Sequence, residues 1–307
     1  MLPATSAVTF GFDVLVGNCW TIDATSHASG GADNGFLDCA RSHTPGYRSD
    51  STTAQAVNNL VACIGAGTGV ANIVGHGNDG LIVTGQGQAP SDPQRFITTW
   101  NENIWGPLCR ALRGKATTIK LWACHPGTAQ AGADLLYAMM QETNATCMGP
   151  TGFLYCGPQG LYLEGNSTWQ VASPGHPKPN PIPAPTPHFI VSIATWNLNM
   201  GGAPVVTLAD VHTVEVRRDG NSLLSLRDDA ARSFLRLVDF SNPFHIEGFV
   251  GAIITGELTI THHDASGTPH EEKFLIYNNR LVVRDVDPPL YYQCSEGFAQ
   301  ALTIGIR

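Results

Sequence analysis

The sequence predicts an α/β fold in which helices flank a mainly parallel sheet, followed by a β-rich C-terminal domain. Short apolar runs of strand character alternate with segments of helical periodicity, and the connections between those runs are long enough for crossovers. A further observation separates the two parts: seven prolines fall within the fourteen residues 174–187. Such a composition favours an extended, semi-rigid spacer.

The first part alternates strands and helices in the order that a parallel sheet requires. Apolar residues such as Ala56, Leu60 and Ile64 recur at helical spacing and predict one of its helices. The predicted elements are a strand over 8–16, a long polar loop over 17–51, a helix over 53–64, a strand over 69–74, a hairpin arm over 81–84, a loop over 85–93, a helix over 101–112, a strand over 117–122, a helix over 129–141, and strands over 146–149 and 160–163.

The residues after the proline run have a different pattern. Runs rich in β-branched and aromatic residues are separated by turn residues, which is typical of a β-rich domain. The predicted strands cover 189–195, 213–216, 257–261 and 273–277, and a predicted helix covers 228–238. The predicted organisation is therefore a domain over 1–172, a linker over 173–188 and an accessory domain over 189–307.

Charge and hydropathy exclude two classes of partner. The chain carries a net charge of −8 with only 17 lysines and arginines, so it lacks the basic footprint of a nucleic-acid binder. Its apolar runs are shorter than the roughly 20 residues that a membrane-spanning helix needs. The first residues lack the basic and apolar regions of a signal peptide. We therefore expect a cytoplasmic protein with no membrane span and no cofactor.

The eight cysteines are scattered, and none forms a C-x-x-C pair. In a long chain without a signal peptide this usage predicts mostly free thiols. Cys63 and Cys109 lie inside amphipathic patterns and Cys147 lies in a strand-like run, so these three are expected to be small core residues. Cys124 is the exception because of its neighbours.

Two short motifs follow strand-like runs, and they carry the candidate chemistry. His76 follows the run 69–74 and Cys124 follows the run 117–122. The carboxyl ends of parallel strands meet at the edge where open α/β sheets place their ligand sites, so we expect the two side chains to lie close together. A thiolate nucleophile with an imidazole beside it is the minimum equipment for nucleophilic catalysis. Because Gly77 has no side chain, its N–H can approach a substrate oxygen and form an oxyanion hole with the N–H of Cys124.

The order of these motifs resembles the caspase-type cysteine peptidases, a group that includes caspases, legumains, gingipains, separases and the bacterial CHAT and metacaspase branches. The resemblance rests on His-Gly after one strand, a hairpin-like 78–83, and Ala-Cys after the next strand. The stretch 124–136 is similar to the small-residue loop and helix after the nucleophile in the bacterial branch. The resemblance covers about residues 8 to 165. It implies a His76/Cys124 dyad, with the Gly77 and Cys124 amides as the oxyanion hole.

Two neighbouring residues have other interpretations. Asp79 lies in an Asn-Asp-Gly sequence typical of a tight turn, although its carboxylate is also a candidate to orient His76. His125 with His76 and Asp79 would suggest a metal site. Zinc needs three or four convergent ligands, however, and adjacent loop residues rarely both point inward, so we expect no metal.

Substrate specificity is the least determined feature. In the resembled family, residues at the end of the first strand and near the strand after the cysteine shape the pocket for the residue before the scissile bond. The loop over 17–51 offers charges of both signs, with carboxylates in excess. We therefore predict that the substrate carries a basic residue before the scissile bond. The candidate substrate-binding residues of this chain are Asp23, Asp38 and Asp79.

The resemblance implies a cysteine endopeptidase that cleaves a protein or peptide substrate and that a partner activates in a defence or cell-death pathway. Residues 189–307 are the candidate site for an activating or targeting partner. Two alternatives stay open: a non-catalytic scaffold that keeps the caspase-like fold, and an acyltransferase that uses the same dyad.

Overall fold

The structure is a computed structural model that describes residues 18–26, 35–65, 69–86, 92–185, 197–198, 206–240, 249–286 and 289–304. The chain divides into two compact units. The first comprises Met1–Pro185 with Glu247–Ala252, and the second comprises Thr186–Ile246 with Ile253–Arg307. The strands predicted over 8–16 and 189–195 lie outside the described residues.

The described strands and helices are numbered in chain order. The strands are β1 (Asn18–Asp23), β2 (Arg48–Asp50), β3 (Gly69–Val74), β4 (Gly77–Asn78), β5 (Leu81–Val83), β6 (Phe96–Thr98), β7 (Ala116–Trp122), β8 (Thr146–Pro150), β9 (Leu154–Gly157), β10 (Gly160–Leu163), β11 (Trp169–Ala172), β12 (Asn197–Leu198), β13 (Val206–Thr207), β14 (Val211–Arg218), β15 (Asn221–Arg227), β16 (Phe249–Val250), β17 (Ile254–His263), β18 (Pro269–Tyr277), β19 (Leu281–Arg284) and β20 (Leu290–Gln293). The helices are α1 (Gly35–His43), α2 (Thr53–Cys63), α3 (Glu102–Cys109), α4 (Ala129–Thr143), α5 (Asp228–Leu235) and α6 (Glu296–Ile304).

The first unit is built on a six-stranded sheet in the order β11-β8-β7-β3-β1-β2. Its strands pair in parallel except for β11, which runs antiparallel to β8. Apolar side chains of β3, β7, α2, α3 and α4 form one buried core, as their apolar periodicity requires. The prediction of a mixed α/β fold with a mainly parallel sheet is confirmed.

Two small antiparallel sheets accompany the main sheet in the first unit. Strands β4, β5 and β6 form one of them, and β10, β9 and β16 form the other. Helix α1 packs against β9 and β10. Strands β4, β5 and β6 follow His76 in the sequence, and β9 and β10 follow Cys124. Helix α1 and strand β16 contact β9.

The predicted loop over 17–51 is wrong for the residues that the structure describes, because they contain β1, α1 and β2. Strand β1 pairs in parallel with both β2 and β3. It carries polar residues among its buried positions, Thr21 and Asp23 included, so its sequence lacks the apolar run that marks β3. Other elements agree more closely: the helix predicted over 101–112 is α3 followed by a short 3₁₀ turn, Arg110–Leu112.

The expectation of mostly free thiols is wrong for half of the cysteines. Cys19 is bonded to Cys63, and Cys39 is bonded to Cys156. Cys63 is exposed at the end of α2 and is therefore not a core residue. Cys109 and Cys147 are free and fully buried, which confirms their prediction as core residues. Sequence spacing gave no indication of either pair, because the disulfides join positions 44 and 117 residues apart.

The proline-rich segment packs on the first unit over its described part instead of standing apart from it. The Gln170 side chain donates to the Asn180 carbonyl (3.1 Å) and accepts from the Ile182 amide (3.0 Å). The Ile182 carbonyl accepts a hydrogen bond from Ala129 at the start of α4 (2.7 Å). Residues 173–185 therefore continue the first unit, where the sequence predicts a linker over 173–188.

The second unit contains a six-stranded antiparallel sheet in the order β15-β14-β17-β18-β19-β20. Apolar residues of α5 and α6 pack with those of the sheet in a separate buried core. This unit has the β-rich character that the sequence predicts. Among the described helices of the chain, none is long and apolar enough to cross a membrane.

Candidate active site

The ends of β3 and β7 bring the histidine and cysteine motifs to the same edge of the sheet. Val74 and Trp122 are paired across the two parallel strands, and His76 and Cys124 each come two residues later. The Gly75 amide donates to the Trp122 carbonyl (3.2 Å) beyond the paired strands. Equal spacing from a paired position therefore places the two motifs side by side.

Close backbone approaches explain the glycines on both sides of His76. A Cβ on Gly75 would collide with the carbonyl oxygen of Val83. A Cβ on Gly77 would lie 2.6 Å from the Cβ of Ala123 and 2.8 Å from the carbonyl oxygen of Cys124. The loop after His76 thus lies directly against the loop that carries Cys124, and a side chain at either glycine would force them apart.

Two backbone amides of these loops bind one carbonyl oxygen. The Gly77 and Cys124 N–H groups donate to the carbonyl of Gly251, with N–O distances of 3.2 and 3.1 Å. These are the two amides that the sequence predicts as an oxyanion hole. Two donors aimed at one peptide oxygen would stabilise negative charge that develops on that atom.

The bound carbonyl belongs to residues 249–252, a short segment from late in the chain that is part of the first unit. Strand β16 pairs antiparallel with β9, and Gly251 donates its N–H to the carbonyl of Leu154 (2.8 Å). Ala252 forms a parallel bridge with Gly77. The segment lies as an added strand whose backbone is held on both sides of Gly251.

The Cys124 thiol lies beside the strand that holds this segment. Cys124 is fully buried, and its Sγ lies 3.1 Å from the Leu154 nitrogen, which donates to it, and 3.5 Å from the Leu154 oxygen. The backbone of Leu154 therefore contacts the thiol, and its carbonyl oxygen also accepts a hydrogen bond from the Gly251 amide. One residue of β9 links the position of the sulfur to that of the bound backbone.

Phe36 of α1 closes the space beside Gly251. Its ring is fully buried, and its centroid lies 5.6 Å from that of the His76 ring. A Cβ on Gly251 would lie 2.8, 3.0 and 3.1 Å from Cζ, Cε2 and Cε1 of this ring. The residue whose carbonyl enters the two-amide site therefore has no room for a side chain.

His125 is directed into the protein, where its ring lies against Thr128, Thr151 and Phe153. It adopts a positive φ of 65° and is buried, with Nδ1 3.2 Å from Thr128 Oγ1 and 3.1 Å from the Thr151 carbonyl oxygen. An Asp79 carboxylate oxygen lies 3.9 Å from this nitrogen, so Asp79 faces His125. Within the described residues, no three His, Cys, Asp or Glu side chains converge as metal ligands would.

The other candidate substrate-binding carboxylates are engaged with their own neighbours. The buried Asp23 carboxylate accepts hydrogen bonds from the amide and hydroxyl of Thr25. Asp38 forms an ion pair with Arg41 (2.5 Å), and the Arg41 guanidinium also donates to the carbonyls of Asp23 and Thr25. These contacts organise the chain between β1 and α1.

Comparisons with protein-family models, curated proteins and solved structures gave no match for this chain. The caspase-like resemblance therefore stays an expectation from the two motifs.

The sequence did not point to three residues that the structure brings to the site, Phe36, Leu154 and Gly251. Each is an ordinary apolar or small residue in its local sequence. Only the tertiary structure places them around the two loops, and no spacing pattern links them.

Proposed function

We propose that the chain is a cysteine endopeptidase in which Cys124 is the nucleophile and His76 the general acid and base. The observation that carries the proposal is the binding of one peptide carbonyl oxygen by the Gly77 and Cys124 amides. Thiolate attack on a carbonyl so held places negative charge on its oxygen, where both donors stabilise it. The bound group is a peptide bond, which favours a polypeptide substrate.

The proposed reaction assigns each step to a group of the site. The Cys124 thiol gives its proton to His76 and attacks the carbonyl carbon, and the two amides hold the oxygen. His76 then returns the proton to the departing amine as the C–N bond breaks, leaving a thioester on Cys124. A water molecule that loses its proton to His76 hydrolyses the thioester and regenerates the thiol.

Location and partners are proposals of the same kind. The cytoplasmic location stays a prediction, and the disulfides Cys19–Cys63 and Cys39–Cys156 argue against it, since disulfides persist mainly in oxidising compartments. An activating or targeting partner that binds through residues 189–307, and a role in defence or cell death, rest on the family resemblance alone.

The test compares wild type with Cys124→Ala and His76→Ala for hydrolysis of a fluorescence-quenched peptide library and for alkylation by iodoacetamide near neutral pH. We expect hydrolysis to vanish in both variants, and alkylation of Cys124 to slow in His76→Ala. Cys109, Cys147 and Cys294 are buried like Cys124, and burial raises the pKa of their thiols; they provide internal references because their alkylation should not respond to His76→Ala. An enzyme without hydrolysis and without histidine-dependent alkylation would contradict the proposal.

A further inference from the structure

We propose that the site requires glycine immediately before the scissile bond, where the sequence predicts a basic residue, and that the chain's own Gly251–Ala252 bond is a substrate. This inference rests on the proposed peptidase function and adds its specificity and one of its targets. Three features of the 249–252 segment carry it: its strand pairing, its carbonyl contacts and the absence of side-chain space at Gly251.

The backbone of the segment is bound as an extended peptide substrate would be. Peptides that add a strand to a sheet edge are held by main-chain hydrogen bonds, with pockets for the side chains supplying specificity. Here Phe249 and Val250 pair with β9, and the Gly251 amide donates to Leu154. The Gly251 carbonyl then enters the two-amide site beside Cys124. The peptide bond at the point of attack is therefore the one between Gly251 and Ala252.

Phe36 supplies the specificity. A Cβ at position 251 would lie 2.8 Å from Cζ of its ring, closer than real Cβ contacts come, and 3.0 and 3.1 Å from Cε2 and Cε1, where the ring would have to shift. The ring has little freedom to withdraw, because it is buried and the same helix is joined to β9 by the Cys39–Cys156 disulfide. Any residue other than glycine at this position would have to displace the Phe36 ring, which lies next to His76.

The reaction on this bond balances with water as the only co-reactant. Sγ of Cys124 forms a thioester with the Gly251 carbonyl carbon as the bond to the Ala252 nitrogen breaks, and the thiol proton passes through His76 to that nitrogen. Water then gives the free carboxylate of Gly251 and restores the thiol. The products are residues 1–251 and 252–307, whose masses sum to that of the chain plus one water.

The products would stay associated without denaturant. Strand β14 precedes the bond and β17 follows it, and the two pair along their length in the second unit. Neither disulfide crosses the bond, since all four bonded cysteines precede Gly251. Cleavage is therefore invisible to native chromatography, yet a denaturing, non-reducing gel or intact mass reveals it.

The experiment follows the full chain over time by intact mass in denaturant, as wild type, Cys124→Ala, Gly251→Ala and Gly65→Ala. We expect the two fragments in wild type and none in Cys124→Ala. Gly251→Ala should cleave more slowly by on the order of 10- to 100-fold, the usual discrimination against one extra carbon in a tight pocket. Gly65→Ala is the matched control, because a Cβ there meets nothing within 4 Å.

A double variant separates specificity from folding. Leucine at position 36 lacks the ring atoms that approach Gly251, so Phe36→Leu combined with Gly251→Ala should recover most of the lost cleavage rate. A defect in Gly251→Ala that arises from anything other than the contact with Phe36 would not be rescued in this way.

The outcomes also separate this inference from the proposed function. An uncut chain whose Cys124 hydrolyses library peptides and is alkylated in a His76-dependent way overturns the inference and leaves the peptidase intact. Cleavage of the library after residues larger than glycine overturns the specificity. A chain without any Cys124-dependent hydrolysis or alkylation overturns both proposals together.

Discussion

A Cβ on Gly77 would lie 2.6 Å from the Cβ of Ala123, so the loops that carry His76 and Cys124 meet where only glycine fits. The same contact fixes the Gly77 amide, which donates to the carbonyl oxygen of Gly251. Sterics at one position therefore determine the geometry of the candidate oxyanion hole.

We expect Gly77→Ala to move this amide away from the bound oxygen. Loss of one such donor typically lowers the rate on the order of 10²- to 10³-fold, and overpacking of this kind destabilises a fold by about 1–3 kcal/mol. Hydrolysis rates and denaturant unfolding of Gly77→Ala and Gly65→Ala would separate the two effects. Unchanged hydrolysis in Gly77→Ala would show that its amide does not act on the substrate.

The Cys39–Cys156 disulfide joins α1, which carries Phe36, to β9, which carries Leu154. We expect Cys39→Ala/Cys156→Ala to lower the free energy of unfolding by about 2–4 kcal/mol. It should also let the Phe36 ring yield, so that Gly251→Ala is cleaved nearly as fast as wild type in this background. Unfolding curves and intact mass measure the two results.

Cys19→Ala/Cys63→Ala is the matched control, because it removes a disulfide between β1 and α2. It should cost similar stability and leave the preference for glycine unchanged. An equal loss of preference in both double variants would mean that the disulfide near Phe36 has no special effect on specificity.

Local sequence predicted the parts of the fold whose pattern is local. Strand β3 is a run of six residues with five buried, and α2 has apolar residues on one face behind the N-cap Thr52, so periodicity and capping suffice. Strand β1 was not predicted because its buried Thr21 and Asp23 are polar. Thr21 hydrogen-bonds to Arg48, 27 residues along the chain, and Asp23 hydrogen-bonds to Thr25 in the following turn. The pattern of a strand that buries hydrogen-bonded polar groups resembles that of a loop.

The candidate site divides in the same way. His76, Gly77 and Cys124 were predicted because each immediately follows a strand, so short-range sequence locates them on the sheet edge. Gly251 lies more than a hundred residues further on, and nothing in its neighbours marks it as a ligand of the two amides. Contacts between distant segments depend on the whole fold, which a single sequence does not display.

Gln170 anchors the proline-rich segment through two hydrogen bonds, to the Asn180 carbonyl and from the Ile182 amide. Gln170→Leu would leave both backbone groups without this partner, at a cost of about 1–3 kcal/mol. We expect limited proteolysis to cut residues 178–182 faster in this variant. Gln141→Leu, which alters an exposed glutamine of α4 whose side chain donates to Met140 Sδ, is the control and should be cut at the wild-type rate. Equal cutting of both variants would show that Gln170 does not hold the segment.

The buried carboxyl of Asp50 makes stability depend on pH. Burial is the main reason that its pKa rises from the usual 3.8 to about 8, and nearby Asp23 raises it further against the lowering effect of the Thr21 hydrogen bond. Its other oxygen has no hydrogen-bond partner among the described residues. Between pH 4 and 8 the folded protein therefore keeps a proton that the unfolded chain releases.

The free energy of unfolding should consequently fall as pH rises through this window, by at most about 1.4 kcal/mol per pH unit for this group. Asp50→Asn cannot ionise, so it should flatten the profile and unfold at higher denaturant concentration than wild type at pH 8. Asp134→Asn is the control: its carboxylate, whose pKa is lowered by Lys178, is ionised across the whole window, so the slope should not change. Parallel profiles for wild type and Asp50→Asn, measured by denaturant unfolding at pH 5, 6.5 and 8, would show that Asp50 stays ionised in the folded protein.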